Sequence, residues 1–313
     1  SSLNKVNQPS LLLKQNRLFR YHSLGNFKQL LFAVARDPAM LLYLDNDSSM
    51  AGKPNENFAR ELLELFTLGE GNFSEADVQG AARAFTGWTV NHQNGEFLYR
   101  GDLHDAGTKY FLGQKGQFSG DQILEIVLKN THTAEHIAKQ FWLEFISDET
   151  PDQPIIQRWG RTLLNANYDI KTFLTMILSS AEFWSAHNNK IKSPVELVVG
   201  TLRSLRVSPF TTERIVGTCD ALGQKILTPE TPQGYVGGQN WIDTYTLPKR
   251  ISLMSELIDK SSNRDIASLP MLSAKEKTDW LLAGSLINKM PQGIMDSRQQ
   301  LRSLLTDTAY QLT

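Results

Sequence analysis

Along most of the chain, apolar side chains recur every three or four residues between short polar interruptions, a pattern that predicts a succession of helices. The densest block runs from Asn55 to Gly69. Phe58, Ala59, Leu62, Leu63, Leu65 and Phe66 fall on one face, and Asn57, Arg60, Glu61 and Glu64 stack on the other. Gly69 stands where a left-handed residue ends a helix. The same spacing predicts helices over Phe27–Arg36, Pro38–Leu44, Asn57–Leu68, Glu75–Phe85, Asp121–Lys129, Ala134–Ile146 and Gln153–Leu164. It predicts further ones over Ile170–Leu178, Pro194–Leu205, Thr212–Leu222, Pro248–Leu257, Ala274–Ile287 and Asp296–Tyr310. Ser74 with Asp77, and Ser193-Pro194-Val195-Glu196, read as capping boxes. Pro151, Pro229, Pro232 and Pro248 mark joints. A single stretch reads as strand: Trp88-Thr89-Val90 and Phe97-Leu98-Tyr99 flank the hairpin turn Asn94-Gly95. The expected fold is mainly α, a single multi-helix domain over residues 1–313 with one small β-hairpin near Trp88–Tyr99. A seam is expected near Thr228–Gln239, where Pro, Gly and Thr concentrate, with Tyr235 and Trp241 packing that loop down.

Composition narrows the function classes. With 41% hydrophobic and 21% charged residues, the chain matches ordinary globular usage. A formal net charge of -1 without a run of one sign gives no electrostatic footprint for nucleic acid. The apolar runs at Leu30–Ala35 and Ala39–Leu44 are far too short for a transmembrane segment. The lone cysteine, Cys219, excludes an internal disulfide framework and reads as a small buried hydrophobe. The chain opens Ser1-Ser2 without a methionine, as a processed product would, so the lack of a leader says nothing about targeting.

Candidate chemistry centres on Glu56, Glu61 and Glu64 with His104 and Asp105, a set of oxygen and imidazole groups suited to a divalent cation or an acid/base pair. Glu61 and Glu64 are three apart and can point at one centre. Arg60, Glu61 and His104 are expected to approach one another. Arg83 is expected to be mostly buried and bonded to a glutamate of the Asn55–Glu64 block. The competing reading is a solvated stripe with Arg60 and Glu64 as an i,i+4 ion pair. Asp45, Asp47, Ser49 and Glu56 fall at the first, third, fifth and twelfth positions of a calcium loop, but Met50 stands where its turn needs glycine. A looser metal site through Asp45, Asp47 and Glu56 remains as an expectation. His132 and His136 are i,i+4 but read as surface histidines. Trp142, Trp159 and Trp184 read as core, and Trp88 and Trp241 as core or cleft walls.

Several blocks, taken in order, carry a resemblance. They are Leu24-Gly25-Asn26-Phe27, Ala35-Arg36-Asp37-Pro38-Ala39-Met40, Tyr43-Leu44-Asp45-Asn46, the Asn55–Gly69 block and Arg83-Ala84-Phe85-Thr86-Gly87-Trp88. His104-Asp105 with Lys109, Phe111-Leu112-Gly113, Lys192-Ser193-Pro194-Val195-Glu196, and Gly237-Gly238 with Trp241 and Leu247 come after them. Together the chain resembles the bacterial domain-of-unknown-function family 1800 from about Leu11 to about Arg250. The resemblance implies an exported protein, periplasmic or secreted, without an assigned activity. It also implies a further N-terminal portion, rich in Trp and His, that this chain lacks, and a late tryptophan-containing loop that here reads Thr231-Pro232-Gln233-Gly234-Tyr235. Two functions are therefore expected. One is a polar carboxylate/Arg/His cleft of a metal-assisted hydrolase or transferase acting on a small-molecule or polymer ligand. The other is a non-catalytic binding or assembly protein, with a protein partner, whose polar cluster is a structural network.

Overall fold

Helix starts are set by side chains that satisfy the orphan backbone donors of the first turn. Asn26, Asp37, Asn55, Ser74, Ser119, Asp169, Ser193 and Thr211 each accept a hydrogen bond from a backbone N–H two or three residues ahead. Both expected capping boxes are present, and Ser119 with Gln122 forms another. The structure, a computed structural model, describes residues 1–186, 190–207, 210–262, 273–282, 287 and 296–313. It is mainly α, with two small antiparallel two-stranded sheets among the described residues. No described helix is long and apolar enough to cross a membrane.

Two compact units emerge, Ser1–Phe145 with Glu149–Ser180 and Ile146–Asp148 with Ala181–Thr313. The Thr228–Gln239 loop lies inside the second unit, and its Tyr235 ring packs 5.9 Å from Trp241. The hairpin pairs Trp88–Asn91 with Glu96–Tyr99 in the register Trp88↔Tyr99 to Asn91↔Glu96. In the first unit, a relay of edge-on rings, Phe58 to Phe85 to Trp88 to Phe97 at 5.0, 5.1 and 5.4 Å, ties the Asn55 block to this hairpin. Phe58, Phe85 and Trp88 are buried, and burial of each such ring stabilises the unit by about 2–3 kcal/mol. The helix Glu75–Ala84 lies against the strand Lys109–Phe111 at Gly80, where a Cβ would stand 2.1 Å from the Tyr110 carbonyl oxygen. Trp159 is buried beside Trp142 and Phe173. The second unit is built around Leu197, Val198, Met254, Leu257 and Leu304, with Cys219 buried among them as a small hydrophobe.

Several expectations need correction. A helix over Pro9–His22 and the strand pair Lys109–Phe111 with Gln114–Gly116 were not predicted. The predicted Asn57–Leu68 helix is α only over Glu56–Glu61 and π over Leu62–Thr67, where the Thr67 hydroxyl donates to the Leu62 carbonyl at 2.7 Å. The last helix stops at Leu305, because Asp307 caps a new 3-10 turn at Thr308–Gln311. The helix predicted over Ala274–Ile287 is described over Ala274–Leu281, and most of the remainder lies outside the described residues. Trp184, expected in the core, is 66% exposed on the short helix Ala181–Ser185.

Candidate functional site

The helix Glu75–Ala84 ends in a turn that exposes Arg83 and Thr86 to the loop Gly101–Lys109. Gly87 makes that turn, with φ +81 and only 2.4 Å between a would-be Cβ and the Arg100 carbonyl oxygen. Arg83 then grips the loop. Its Nε and Nη2 donate to the two carboxylate oxygens of Asp105 at 2.7 and 3.0 Å, and its Nη1 donates to the Thr108 carbonyl at 2.9 Å. The Thr86 hydroxyl donates to the Arg83 carbonyl at 2.7 Å and accepts from the Asp105 backbone N–H at 2.8 Å. Asp105 Oδ1 also accepts from the Gly107 N–H at 2.8 Å, closing a tight turn. The guanidinium beside it, joined by the Gly107 N–H, holds the Asp105 carboxyl down at about 2. Lys109, with no exposed surface, donates to the Asp105 and Gly107 carbonyls, and burial pushes its pKa down. His104 Nδ1 donates to the Thr86 carbonyl at 3.0 Å, which orients the ring, and among the described residues its Nε2 makes no hydrogen bond.

This arrangement corrects the expectation for Arg83. Its carboxylate partner is Asp105 rather than a glutamate of the Asn55–Glu64 block, and its side chain keeps 33% of its surface exposed. The Asp105–Gly107 turn and the Thr86 hydroxyl hold Asp105 in front of the fork, so little further ordering is needed to make the pair.

Arg60 is turned elsewhere. Its Nη1 and Nη2 donate to both oxygens of Glu75 at 2.7 and 2.6 Å, and Glu56, one turn earlier, lies 3.6 Å away. The i,i+4 partner is thus Glu56 rather than Glu64, an order in which the acid precedes the base. Arg60, committed to Glu75, is not bonded to His104, so the three-way approach of Arg60, Glu61 and His104 is not made through hydrogen bonds. Glu61 has no hydrogen-bond or ion-pair partner among the described residues. Burial, with the neighbouring Glu64 charge adding to it and Arg60 opposing, raises its pKa. Both carboxylates belong to the turn where the backbone widens into the π segment, since Glu61 precedes it and Glu64 lies within it. Beneath this block lies an apolar cavity of about 20 Å³ lined by Leu31, Met40, Phe58 and Phe66 among others, the volume of one water at most.

The metal expectation does not fit the donor set. Asp45, in left-handed backbone at φ 59, pairs with Lys5 at 2.6 Å, while Glu56 is held by Arg60 and the Ser49 hydroxyl accepts from the Asn55 N–H. Asp47 faces His92 at 4.0 Å. Without a glycine at Met50, the segment Asn46–Ser48 winds into a 3-10 turn and does not gather these oxygens. His136 Nε2 donates to the Leu65 carbonyl at 2.9 Å, and His132 faces Glu135 at 3.6 Å, so the pair shares no ligand. Among the described residues no group of three His, Cys, Asp or Glu side chains could hold a metal ion. Sequence reasoning overlooked Thr86 and Lys109 as members of the cluster. The signal was the spacing Asp105, Gly107, Lys109, which folds an aspartate turn back onto a lysine.

A family model for proteins of unknown function matches residues 1–312, which extends beyond the Leu11–Arg250 span of the resemblance. No curated protein and no solved structure matches the chain.

Proposed function

The chain belongs to the family described as "Protein of unknown function (DUF1800)", and from the geometry of its polar residues we propose that it is a non-catalytic binding or assembly protein whose polar cluster is a structural network. One observation supports this reading above others: the cluster closes on itself. Arg83 spends all three of its nitrogen groups on Asp105 and Thr108, Lys109 is sealed onto two carbonyls, and Thr86 both donates and accepts within the set. Catalytic groups need a face left open for substrate, whereas these groups use their capacity to pin one loop. The Arg83→Lys variant tests the reading. A point charge cannot replace the two-pronged fork, so the melting temperature falls if the network is structural. An unchanged or raised melting temperature is the signature of a site that trades stability for activity and would overturn the proposal.

A second reading, an acid/base hydrolase or transferase, draws support from two groups the network leaves out. Glu61 is unpaired with a raised pKa, and His104 is oriented through Nδ1 with Nε2 unbonded. Arg83, Asp105 and Arg60 would then be positioning residues, and Glu64 the charge that keeps Glu61 protonated to higher pH. The metal-assisted form has no converging donor set among the described residues. Both readings propose a periplasmic or secreted protein, on the family resemblance, and fractionation of the native host tests that.

A further inference from the structure

The Lys192-Ser193-Pro194-Val195-Glu196 block and Arg250 meet in the second unit, apart from the polar network of the first. Arg250 is fully buried, yet no carboxylate is bonded to it. Its Nη2 donates to the Lys192 carbonyl at 2.8 Å and its Nη1 to the Gln311 amide oxygen at 3.3 Å. Two buried donors are left over, Arg250 Nε and Gln311 Nε2, with no partner. Gln311 is 1% exposed. Lys192 brings a second cation, donating to the Tyr310 carbonyl at 2.7 Å with Nζ 3.9 Å from the centroid of the Tyr310 ring. Glu196 is engaged by the Ser193 N–H in its capping box. Burial holds the Lys192 ammonium down at about 8, with the Glu196 carboxylate opposing and the Arg250 charge adding to it, and burial holds Arg250 at about 10, again against Glu196.

A buried guanidinium beside a half-buried ammonium, with Glu196 as a nearby countercharge bonded to neither, and two orphaned N–H donors are costly as a purely structural clamp. Each unsatisfied buried donor carries the full cost of its lost hydration, and a buried charge is best tolerated when a bonded anion neutralises it. The turn Thr308–Gln311 needs no guanidinium to be held, because the Lys192 backbone N–H already donates to the Gln311 carbonyl at 2.8 Å and Ile191 bridges Leu312.

We propose that Arg250, Gln311 and Lys192 form a binding site for a small oxyanion, the carboxylate or phosphate group of a ligand. Arg250 Nε and Gln311 Nε2 donate to its oxygens, and Lys192 exchanges the Tyr310 carbonyl for the anion. Lys192 is the partly exposed member, so the ligand enters along its side chain, and Lys192 carries full charge when the site is filled.

The test is thermal denaturation of the whole protein with sodium phosphate and, separately, sodium acetate, each against sodium chloride at matched ionic strength. The expected result is a saturable rise in melting temperature with at least one oxyanion and none with chloride. Response to phosphate alone or to acetate alone supports the site and identifies which group it takes. Gln311→Met and Lys192→Met, which keep the buried guanidinium, should each weaken the midpoint at least tenfold. Isotope-labelled lysine NMR should show the Lys192 pKa rising from about 8 as the anion binds. No saturable rise with either oxyanion, a midpoint unchanged in both variants, or a Lys192 titration indifferent to the anion would overturn the proposal. The Gln311 and Lys192 variants and the Lys192 titration confine the readout to the second unit.

Discussion

Replacing Asp105 with asparagine removes the charge from the network while keeping its shape. The amide oxygen still accepts from the Gly107 N–H, so the turn survives, but an NH₂ group now faces one prong of the Arg83 fork. The Asp105 carboxyl is held from 3.8 down to about 2, and at about 1.4 kcal/mol per unit this is worth about 2.5 kcal/mol before screening. Because a third of the Arg83 side chain meets solvent, about 1–2 kcal/mol is the better expectation. For a unit of this size that lowers the melting temperature by roughly 2–8 °C. The sign with pH comes from a folded pKa below the unfolded one. The stabilisation is complete above 3.8 and drains away as pH falls towards 2, so the parent loses stability over that window and the variant loses less. Circular dichroism melts of both proteins from neutral pH down through that window measure it. A variant that melts within about 1 °C of the parent at pH 7, with the same acid limb, would refute the argument.

Other expectations rest on the same geometry. Glu61→Gln should melt at or above the parent at pH 7, because a raised folded pKa means the parent's stability is full below 4.5 and lost as pH rises through the folded value; a drop in melting temperature at pH 7 would contradict it. Gly80→Ala should destabilise by about 2–3 kcal/mol or more, read in a urea titration, since its Cβ meets the Tyr110 carbonyl and neither the helix nor the strand can yield cheaply. Thr86→Val should cost about 2 kcal/mol in the same titration, as the Asp105 N–H loses its acceptor while the side-chain volume is kept.

What the sequence made legible was local. Capping boxes at Ser74 and Ser193, the Asn94-Gly95 hairpin and the end of the Asn55 block at Gly69 each depend on residues within a few positions of one another, and all are present. The Pro9–His22 helix escaped because its buried stripe is narrow, Leu11, Leu12 and Gln15, among closely spaced Lys, Arg, Asn and Gln. The partner of Arg83 escaped for a different reason. Asp105 is 22 positions away, and only the fold of the intervening hairpin sets it ahead of Glu56, Glu61 or Glu64. The π register was hidden as well, since Leu62–Thr67 carries the same apolar spacing as an α-helix, and its widening is accompanied by the distant His136, whose Nε2 bonds the Leu65 carbonyl. The Arg250–Lys192–Gln311 cluster joins three segments far apart in the chain and left no spacing to find.

The π segment has an evolutionary consequence. A wide turn of this kind fits one more residue between the same packed ends than an α-helical turn does, so Leu62–Thr67 holds one residue in excess of α winding. Deleting a single residue there would restore the tighter winding and leave the residues before it in phase with those after it. Phe58 would keep its place against Phe85, and Arg60 its reach to Glu75. In lineages of this fold, a one-residue difference in length should therefore be tolerated inside Leu62–Thr67, with the packing of Phe58 and Arg60 unchanged.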